Sequence, residues 1–395
     1  MKNKINLLLL FVIGIIISDY LKIYIFDILP LDYLIMILSF PFFLYLIISN
    51  RFQFNSIDVL LFVFVILSIL TVFWSDSRFQ TVKYSIRFVL LLTLYFTGKI
   101  IVRNFAVNKL LRIIVILNTF FILTSSLIIF IFDIQIYSRF MFVSTISTDP
   151  NFSAYILVYS FISSLYLLYH EKKVIYIATS IILFVFAIFT WSRSILIAII
   201  LMLVLLILLN YKSIRASLNS YKKYVLIFTF MISIVFFTNI GALIEIFRLE
   251  YILDLSGRTI IWSQIIEIFS ENPFFGIGMD SFRFSFPIIY EGVLKHYSAH
   301  NTFLEILVGG GLFVLIPYIF FLLLLFKKTI NSILQSRVTN NNFLQQVFSI
   351  DYLFYLLLLL SFLTMITLNL ETSRLLWLLF GMISFERQDY YTNEE

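Results

Sequence analysis

Two of the chain's three histidines, His296 and His300, stand at the entrance of a long apolar segment. A neutral imidazole can take a proton from a sugar hydroxyl near pH 7, so His300 is a candidate general base. Asn301 follows it, and Glu305 comes just over one helical turn later, where its carboxylate either orients the imidazole or binds a backbone amide or a tyrosine hydroxyl. The alternative for His300 is a helix cap or a contact with lipid headgroups.

Five cationic side chains stand beside the ends of other apolar segments or in the polar stretch before His300. They are Lys83, Arg87, Arg193, Arg258 and Arg283. A guanidinium group binds phosphate through two parallel hydrogen bonds, so several cations at one lipid–water boundary predict an anionic ligand such as a pyrophosphate. Two alternatives stay open, because Arg193 can reach lipid headgroups and Arg258 can pair with Asp254.

Two other features have local explanations. Gly309, Gly310 and Gly311 allow a neighbouring helix or a lipid chain to approach closely. Glu371 and Arg374 are three residues apart, a spacing that predicts an ion pair between them. Neither feature requires a substrate.

Composition predicts the elements that position these residues. The chain has 395 residues, of which 61% are hydrophobic and 13% charged, and a soluble protein of this size cannot bury so much apolar surface. Irregular backbone cannot face lipid, so we expect an all-α polytopic membrane protein with residues 1–395 as a single transmembrane domain. About twelve apolar segments of about 20 residues each begin near Ile5, Leu31, Val59, Tyr84, Leu110, Phe152, Val174, Ser194, Tyr224, Asn301, Tyr352 and Leu375.

The distribution of Lys and Arg predicts the orientation of these spans. With the N-terminus in the cytoplasm, most of the 28 Lys and Arg residues fall on the cytoplasmic side, and an even number of spans returns the C-terminus there. The net charge of +6 therefore reflects topology and indicates no nucleic-acid partner. No small-residue cleavage site follows the first apolar segment, which is expected to remain as a helix.

One connection is much longer than the others. Residues 240–300, between the ninth and tenth spans, are predicted to form an extracytoplasmic loop, and long ordered loops are usually functional. Within it Ile261, Ile265 and Ile268 share one side of an amphipathic helix that we expect to lie on the membrane surface, and the Asn-Pro pair that follows ends this helix. The glycine-rich turn "FFGIGMDSF" then redirects the chain.

The sequence indicates neither a metal nor a cofactor. His296 and His300 have the spacing of a zinc-binding helix but lack the glutamate of an HExxH pattern, and no GxxxxGK[ST] segment for nucleotide phosphates is present. The chain has no cysteine, which excludes a disulfide framework and thiolate chemistry. The energy for a reaction is then expected to come from the leaving group of the substrate itself.

Several segments, in this order, resemble those of one family. They are "WSDSRFQTVKYSIRF" from Trp74, "TWSRSILIA" around Arg193, "SGRTIIWSQIIEIFSENPFFGIGMDSF" around Arg258 and "HNTFLEILVGGG" from His300. Together with the large loop before the last spans, they resemble the O-antigen ligase and polymerase family of bacterial membrane proteins, which act on undecaprenyl-pyrophosphate-linked glycans.

The resemblance implies a metal-independent, inverting glycosyltransferase on the outer face of the bacterial inner membrane. Arg193 and Arg258 would hold the pyrophosphate of the donor, with Arg87 and Lys83 as further phosphate-binding residues. His300 would activate the acceptor hydroxyl or assist the leaving group. The supporting residues would be Asn301, Glu305 and Arg283.

The family divides by acceptor. Ligases transfer the glycan to lipid A-core, whereas polymerases transfer it to another lipid-linked repeat unit. A ligase is expected to carry Gly, Thr or Tyr three residues beyond the last glycine of the motif; Val314 stands there, which favours an O-antigen or capsular polysaccharide polymerase and keeps the ligase as the alternative.

A polysaccharide or solute transporter is the alternative from another class, and such proteins typically have broken helices around a polar site near the bilayer midplane. The expected partners are the undecaprenyl-pyrophosphate-linked oligosaccharide and the lipid bilayer, and other polysaccharide-assembly membrane proteins are left open as partners.

Overall fold

A computed structural model describes most of the chain as helix. The described residues are 2–21, 24–25, 29–30, 34–38, 40–41, 54–104, 106–131, 150–190, 192–202, 204–205, 258–290, 293–339 and 343–385. The predicted spans near Leu31 and Tyr224 begin at positions outside these ranges, and a described helix lies at each of the other predicted positions.

The helices follow one another with short connections where the chain is described. In chain order they are α1 (Lys2–Leu21), α2 (Ser56–Leu70) with a 3₁₀ turn (Thr71–Phe73), α3 (Arg78–Arg103), α4 (Val107–Ile131), α5 (Pro150–Glu171), α6 (Ile175–Phe189), α7 (Arg193–Met202), α8 (Arg258–Glu271), α9 (Ser281–Ser285), α10 (Thr302–Thr339), α11 (Phe343–Val347), α12 (Ile350–Met365) and α13 (Arg374–Ser384). Two short antiparallel hairpins pair β1 (Tyr24–Ile25) with β2 (Leu29–Pro30), and β3 (Ile288–Tyr290) with β4 (Val293–Lys295).

Five of the described helical segments are long and apolar enough to cross a bilayer. They are Ser56–Phe73, Arg78–Arg103, Val107–Leu127, Pro150–Glu171 and Thr302–Gln335. Shorter apolar helices occur at Asn6–Ile17, Ile175–Phe189, Arg193–Met202, Ile350–Met365 and Arg374–Ser384. The predicted class, an all-α polytopic membrane protein, is therefore confirmed, while the number of twelve spans stays a prediction.

Helices α3 and α13 form the most intimate helix pair of the core. Their backbones touch at Gly98 and Gly381: a Cβ atom on Gly98 would collide with the carbonyl of Leu378, and one on Gly381 with the carbonyl of Tyr95. Small residues at a crossing let membrane helices approach closely and gain van der Waals contact. Around this pair, α2 packs on α10, and α5 packs on α4, α6 and α12.

One end of the bundle, which we call the closed end, is sealed by a buried ion pair. The ammonium of Lys99 lies 2.7 Å from the carboxylate of Asp58, which also accepts a 2.5 Å hydrogen bond from the hydroxyl of Tyr95. Asn55 caps α2 and donates through Nδ2 to the carbonyl of Ser384 at 2.8 Å. Charges removed from water need such partners, so this end is held by a fully paired network.

Helix α10 is broken at Gly311, whose backbone angles (φ 62°, ψ −164°) only glycine adopts readily. The segment Pro273–Met279 fills the break. Ile277 and Gly278 donate through their amides to the carbonyls of Val308 (3.0 Å) and Gly309 (2.8 Å). The amides that follow the break, on Leu312 and Phe313, donate to the carbonyls of Pro273 (3.0 Å) and Phe274 (3.2 Å). The backbone groups freed by the break are thus satisfied inside the protein, as burial in a membrane protein requires.

Candidate active site

The end opposite the closed end, which we call the mouth, is formed by residues 71–87, 258–290, 293–311 and 366–374. Three hydroxyl groups tie its first two segments together: Ser75 Oγ lies 2.7 Å from both Thr81 Oγ1 and Ser281 Oγ. Thr81 Oγ1 also donates to the carbonyl of Met279 at 2.8 Å. The start of α3, which carries Lys83 and Arg87, is therefore fixed against the start of α9.

His300 lies in this mouth with a left-handed backbone conformation, φ 49°. Both of its neighbours are held. Ala299 donates through its amide to Glu305 Oε2 at 2.8 Å and accepts from Trp262 Nε1 at 2.9 Å, while Asn301 donates through its amide to Asn369 Oδ1 at 2.8 Å. Positive φ is uncommon for residues other than glycine and persists where surrounding contacts determine it. We call this set of bonds the His300 clamp.

Asn301 is the N-cap of α10, since its Oδ1 accepts from the amides of Phe303 (2.9 Å) and Leu304 (3.1 Å). Thr302, the next residue, accepts from the amide of Leu370 at 2.8 Å and donates to the carbonyl of Leu368. The loop between α12 and α13 therefore holds the first turn of α10, and with it the position of His300.

Glu305 is almost fully buried, with 1% of its surface exposed. Its Oε2 accepts from the amide of Ala299 and from Asn369 Nδ2, both at 2.8 Å. The sequence left open whether Glu305 orients the imidazole or binds a backbone amide or a tyrosine hydroxyl, and the structure shows a bond to a backbone amide. Because that contact is to the residue before His300, the same bond also fixes the backbone that carries the imidazole.

Glu371 is the buried carboxyl of the neighbouring loop, with 2% of its surface exposed. The hydroxyl of Tyr84 donates to Oε1 at 2.5 Å, Trp377 Nε1 donates to the backbone carbonyl at 2.7 Å, and Oε2 has no hydrogen-bond partner in the described part of the chain. Burial, and then the charge of Glu305, raise the pKa of Glu371 to about 8. The predicted ion pair between Glu371 and Arg374 is therefore wrong: the carboxyl is buried against α3 and α13, and burial favours its protonated form.

Asp280 is a second carboxyl of the mouth and has φ 61° at the start of α9. Burial, and then the negative charge of Glu305, raise its pKa to about 7, while the positive charges of Arg87 and Arg283 act in the opposite direction. Arg87, Arg283 and Glu305 are hence near enough to Asp280 to act on one proton. This places two of the predicted cations in one electrostatic environment with Glu305.

Cations of the mouth also contact aromatic rings, and His296 contacts the backbone. The guanidinium of Arg87 lies 5.8 Å from the ring centre of Tyr84, and that of Arg283 lies 5.7 Å from the ring centre of Phe284. The ammonium of Lys83 lies 4.3 Å from the ring centre of Phe79. His296 donates through Nδ1 to the carbonyl of Arg283 at 2.8 Å, so the second histidine of the pair supports the loop.

Arg193 and Arg258 are each the first residue of a helix, α7 and α8, and each is half-buried. The start of α7 is tied to the start of α5, because Ser192 Oγ donates to Asn151 Oδ1 at 2.7 Å. Helix α8 packs its isoleucines against Ile277 and Val308, beside the break in α10. The convergence of Arg193 and Arg258 on His300 stays a prediction.

Sequence reasoning missed Trp262, Asn369, Asp280 and the role of Glu371. Asn369 gave a usable signal, because it is a polar residue in the short connection between two apolar segments. Trp262 gave none, since its ring lies within an amphipathic helix where an aromatic residue needs no special reason. Among the described residues, no group of three or more His, Cys, Asp or Glu side chains could hold a metal ion.

The comparison with known protein families adds the chemical context. Residues 178–319 match the family model described as O-Antigen ligase, and this stretch contains Arg193, Arg258, Arg283, His300 and Glu305. It covers less than half of the chain, and Lys83, Arg87 and Glu371 lie outside it. No curated protein and no solved structure matches the chain significantly. Over residues 178–319, the chain is therefore similar to the O-antigen ligase family, in agreement with the resemblance of its sequence motifs.

Proposed function

We propose that this protein is a glycosyltransferase that polymerises undecaprenyl-pyrophosphate-linked oligosaccharide repeat units on the outer face of the bacterial inner membrane. Both termini then lie in the cytoplasm, and residues 240–300 face the outside. The observation that carries the proposal is the His300 clamp, which holds the backbone of His300 in an uncommon conformation, with the buried carboxyl of Glu305 bonded to the residue before it. Uncommon conformations that persist cluster at functional sites.

The reaction we propose is a single displacement. The imidazole of His300 takes the proton of the acceptor hydroxyl, whose oxygen bonds to the anomeric carbon of the donor sugar while the bond from that carbon to the pyrophosphate oxygen breaks. The electron pair leaves with the pyrophosphate on its lipid carrier, and attack from the opposite face inverts the anomeric centre. No metal takes part in this proposal.

Guanidinium groups stabilise the charge that develops on the leaving pyrophosphate. Arg193 and Arg258 hold it in our proposal, with Lys83 and Arg87 contributing further positive charge. The assignment of Arg193 and Arg258 rests on the family similarity over residues 178–319, which contains both. The positive charges of Arg87 and Arg283, which act on Asp280, support the presence of cationic charge at the mouth. The proposed roles of Asn301, Glu305 and Arg283 are to hold the loop and helix end that position His300.

Val314 supports the polymerase over the ligase. A ligase of the family is expected to have Gly, Thr or Tyr at this place in the motif, where this chain has valine. The side chain is buried and would touch a Cβ atom placed on Gly310. The valine therefore packs closely within α10, about one turn beyond the break.

One observation favours the transporter, because broken helices are a feature of that class. In transporters the freed backbone groups coordinate the cargo. In this protein the carbonyls of Val308 and Gly309 and the amides of Leu312 and Phe313 are bonded to the chain itself. These four backbone groups at the break are therefore not available to coordinate cargo, and we favour glycosyl transfer.

Glycan gels of a deletion strain test the proposal. If the protein is a polymerase, the deletion leaves one repeat unit on the lipid A-core, and the wild-type gene restores the ladder of long chains. His300→Ala is expected not to restore the ladder at a wild-type membrane level, since a general base contributes roughly 10²–10⁴-fold to rate. His296→Ala, in the same segment, is the control and is expected to restore the ladder.

Two outcomes contradict the proposal in different ways. Bare core together with free lipid-linked polymer in the deletion strain identifies the ligase. A normal ladder with His300→Ala would show that His300 takes no part in the reaction.

A further inference from the structure

A pocket at the edge of the mouth has no role in the reaction described above. It has a volume of about 400 Å³ and is lined by Trp74, Asp76, Asn272, Phe275, Gly276 and Ile277. Its walls come from the turn that precedes α3 and from the segment that follows α8. These two segments are about two hundred residues apart in the chain, so the pocket exists only in the folded protein.

The pocket is held in shape without a ligand. Trp74 Nε1 donates to the carbonyl of Phe275 at 2.9 Å, and the amide of Asp76 donates to the carbonyl of Ile277 at 3.0 Å. Gly276 has φ 65°, and a Cβ atom on it would collide with the backbone of Gly309. The floor of the pocket therefore rests directly on the broken helix α10, and a ligand would meet a preformed surface.

The lining chemistry selects a class of ligand. Trp74 and Phe275 expose 38% and 54% of their surface and meet edge to face, with ring centres 5.3 Å apart. The carboxylate of Asp76 and the side-chain amide of Asn272 are exposed at the rim. Aromatic rings accept the C–H face of a sugar, while a carboxylate accepts from its hydroxyls and an amide both donates and accepts.

The same lining disfavours phosphate. Among the described residues that line the pocket, none is Lys, Arg or His, and one is an aspartate. A phosphate group placed there would be repelled by that carboxylate, without a cation to compensate. The predicted phosphate-binding cations stand elsewhere, so the pocket and the pyrophosphate site differ in charge.

The pocket and a charged group of the mouth lie on the same short stretch of chain. Only three residue steps, at most roughly 11 Å of extended chain, separate Ile277 in the pocket from Asp280, on whose proton Arg87 and Glu305 act. That span is comparable to the length of a short oligosaccharide. A sugar in the pocket and a pyrophosphate at the mouth can thus belong to one lipid-linked molecule or to the donor and acceptor pair.

We propose that the pocket between Trp74 and Asn272 is a binding site for an uncharged sugar ring of the glycan, separate from the cations that bind phosphate. This inference rests on the proposed function for its substrate class. It assigns Asp76 and Asn272 as hydrogen-bonding residues and Trp74 with Phe275 as the apolar face. None of them takes part in the chemical step.

Direct binding tests the site with a probe that has neither lipid nor phosphate. The probe is the repeat-unit oligosaccharide released from its carrier by mild acid, titrated by calorimetry into the full-length protein in phosphatidylcholine nanodiscs. Asp76→Asn and Asn272→Ala are each expected to raise the Kd roughly tenfold, as expected for loss of one hydrogen bond to a sugar hydroxyl. Phe73→Ala, beside the pocket and with 75% of Phe73 exposed, is the control that leaves the Kd unchanged.

Wild-type Kd values for both rim variants, or no binding to the wild-type protein, overturn the proposal. Both rim side chains are on the surface, and an unchanged unfolding temperature confirms that the variants are folded. A lipid headgroup is the competing occupant. If phosphatidylglycerol discs protect Trp74 from acrylamide quenching as much as the oligosaccharide does, with Trp74→Phe as the reference, the pocket binds lipid and the proposal fails.

Failure of the sugar site and failure of the proposed function give different results. His300→Ala is expected to bind the oligosaccharide with wild-type affinity, because it changes the chemical step alone. If the rim variants lose binding while the glycan gels exclude polymerisation, the sugar site stands and the polymerase assignment fails. If the gels show polymerisation while the rim variants bind normally, the polymerase assignment stands and the sugar site fails.

Discussion

The imidazole of His300 owes its position to side chains that lie far from it in the sequence. Asn369 connects two parts of the clamp, because it accepts from the amide of Asn301 and donates to Glu305, which in turn holds the amide of Ala299. Asn369 touches no reacting group in our proposal. It is a positioning residue, and its loss should move His300 without removing it.

We therefore expect Asn369→Ala to lower kcat by roughly 10²-fold, the effect of a misplacement of about 1 Å, with KM for the lipid-linked substrate unchanged. The measurement is transfer of labelled repeat units in membrane vesicles. Asn118→Ala is the matched control, since Asn118 is also buried and donates one side-chain bond, to Ser160 Oγ on α5. An equal fall in both variants would mean that Asn369 acts through general stability alone.

Glu371 makes stability depend on pH. Its pKa of about 8 in the folded protein lies above the ordinary value of 4.5, so between these pH values the folded state holds a proton that the unfolded chain has released. Stability should therefore fall as the pH rises through this window, by up to about 1.4 kcal/mol per pH unit. Glu371→Gln should remove the loss, because the amide stays neutral and can still accept from Tyr84.

The measurement for Glu371→Gln is the thermal unfolding temperature in detergent at pH 5 and pH 8. We expect the variant to match the wild type at pH 5 and to exceed it at pH 8. Glu267→Gln, on the exposed side of α8, should follow the wild type at both. A variant no more stable than the wild type at pH 8 would show that Glu371 is ionised in the folded protein.

For single residues, the sequence indicates which polar side chains matter better than it indicates their hydrogen-bond partners. The spacing of Glu371 and Arg374 predicted a local pair, but the carboxyl bonds to Tyr84, which is 287 positions away. Local spacing describes one helix, whereas burial is decided by which helices meet. The cap formed by Asn301 is local, and for that reason its position could be read from the residue type and the apolar run that follows.

Among the elements, α10 depends most on a single residue. Gly311 has backbone angles that side chains do not tolerate, and a Cβ atom there would collide with the carbonyl of Phe274. Gly311→Ala should either close the break, which expels the segment Pro273–Met279, or strain it by roughly 1–3 kcal/mol. We expect a lower unfolding temperature and loss of transfer activity.

The control for Gly311→Ala is Gly14→Ala in α1. A Cβ atom on Gly14 would make only an ordinary contact with Ile35, and alanine favours a helix. The control should therefore unfold at or above the wild-type temperature. If Gly311→Ala behaves in the same way, the break in α10 is not required for the fold.

Hydropathy predicted most of these elements, because a span needs only length and apolar composition. The sequence does not predict the break in α10, although it has three consecutive glycines there. A run of glycines can mark either a break in a helix or a close helix–helix contact. A break forms where another segment can bond the freed backbone groups. That segment, Pro273–Met279, precedes the break by more than thirty residues, and its pairing follows from the fold.

For the whole molecule, the predicted orientation can be tested because the chain contains no cysteine. Single cysteines can be placed at Ser270, exposed on α8, and at Val174, 77% exposed between α5 and α6. A membrane-impermeant maleimide should label Ser270→Cys in intact spheroplasts and Val174→Cys only after permeabilisation. The opposite labelling pattern would show that the protein has the inverse orientation in the membrane, with the mouth in the cytoplasm.

The two ends of the bundle share a component in α13. Its carbonyl at Ser384 accepts from Asn55 and Lys328 at the closed end, and the loop that precedes it holds the start of α10 at the mouth. During synthesis, α13 leaves the ribosome after every other described helix. Until α13 packs against α3, the close contacts at Gly98 and Gly381 and the bonds to the carbonyl of Ser384 cannot form. We therefore expect both ends of the bundle to be completed late, when this helix joins the others.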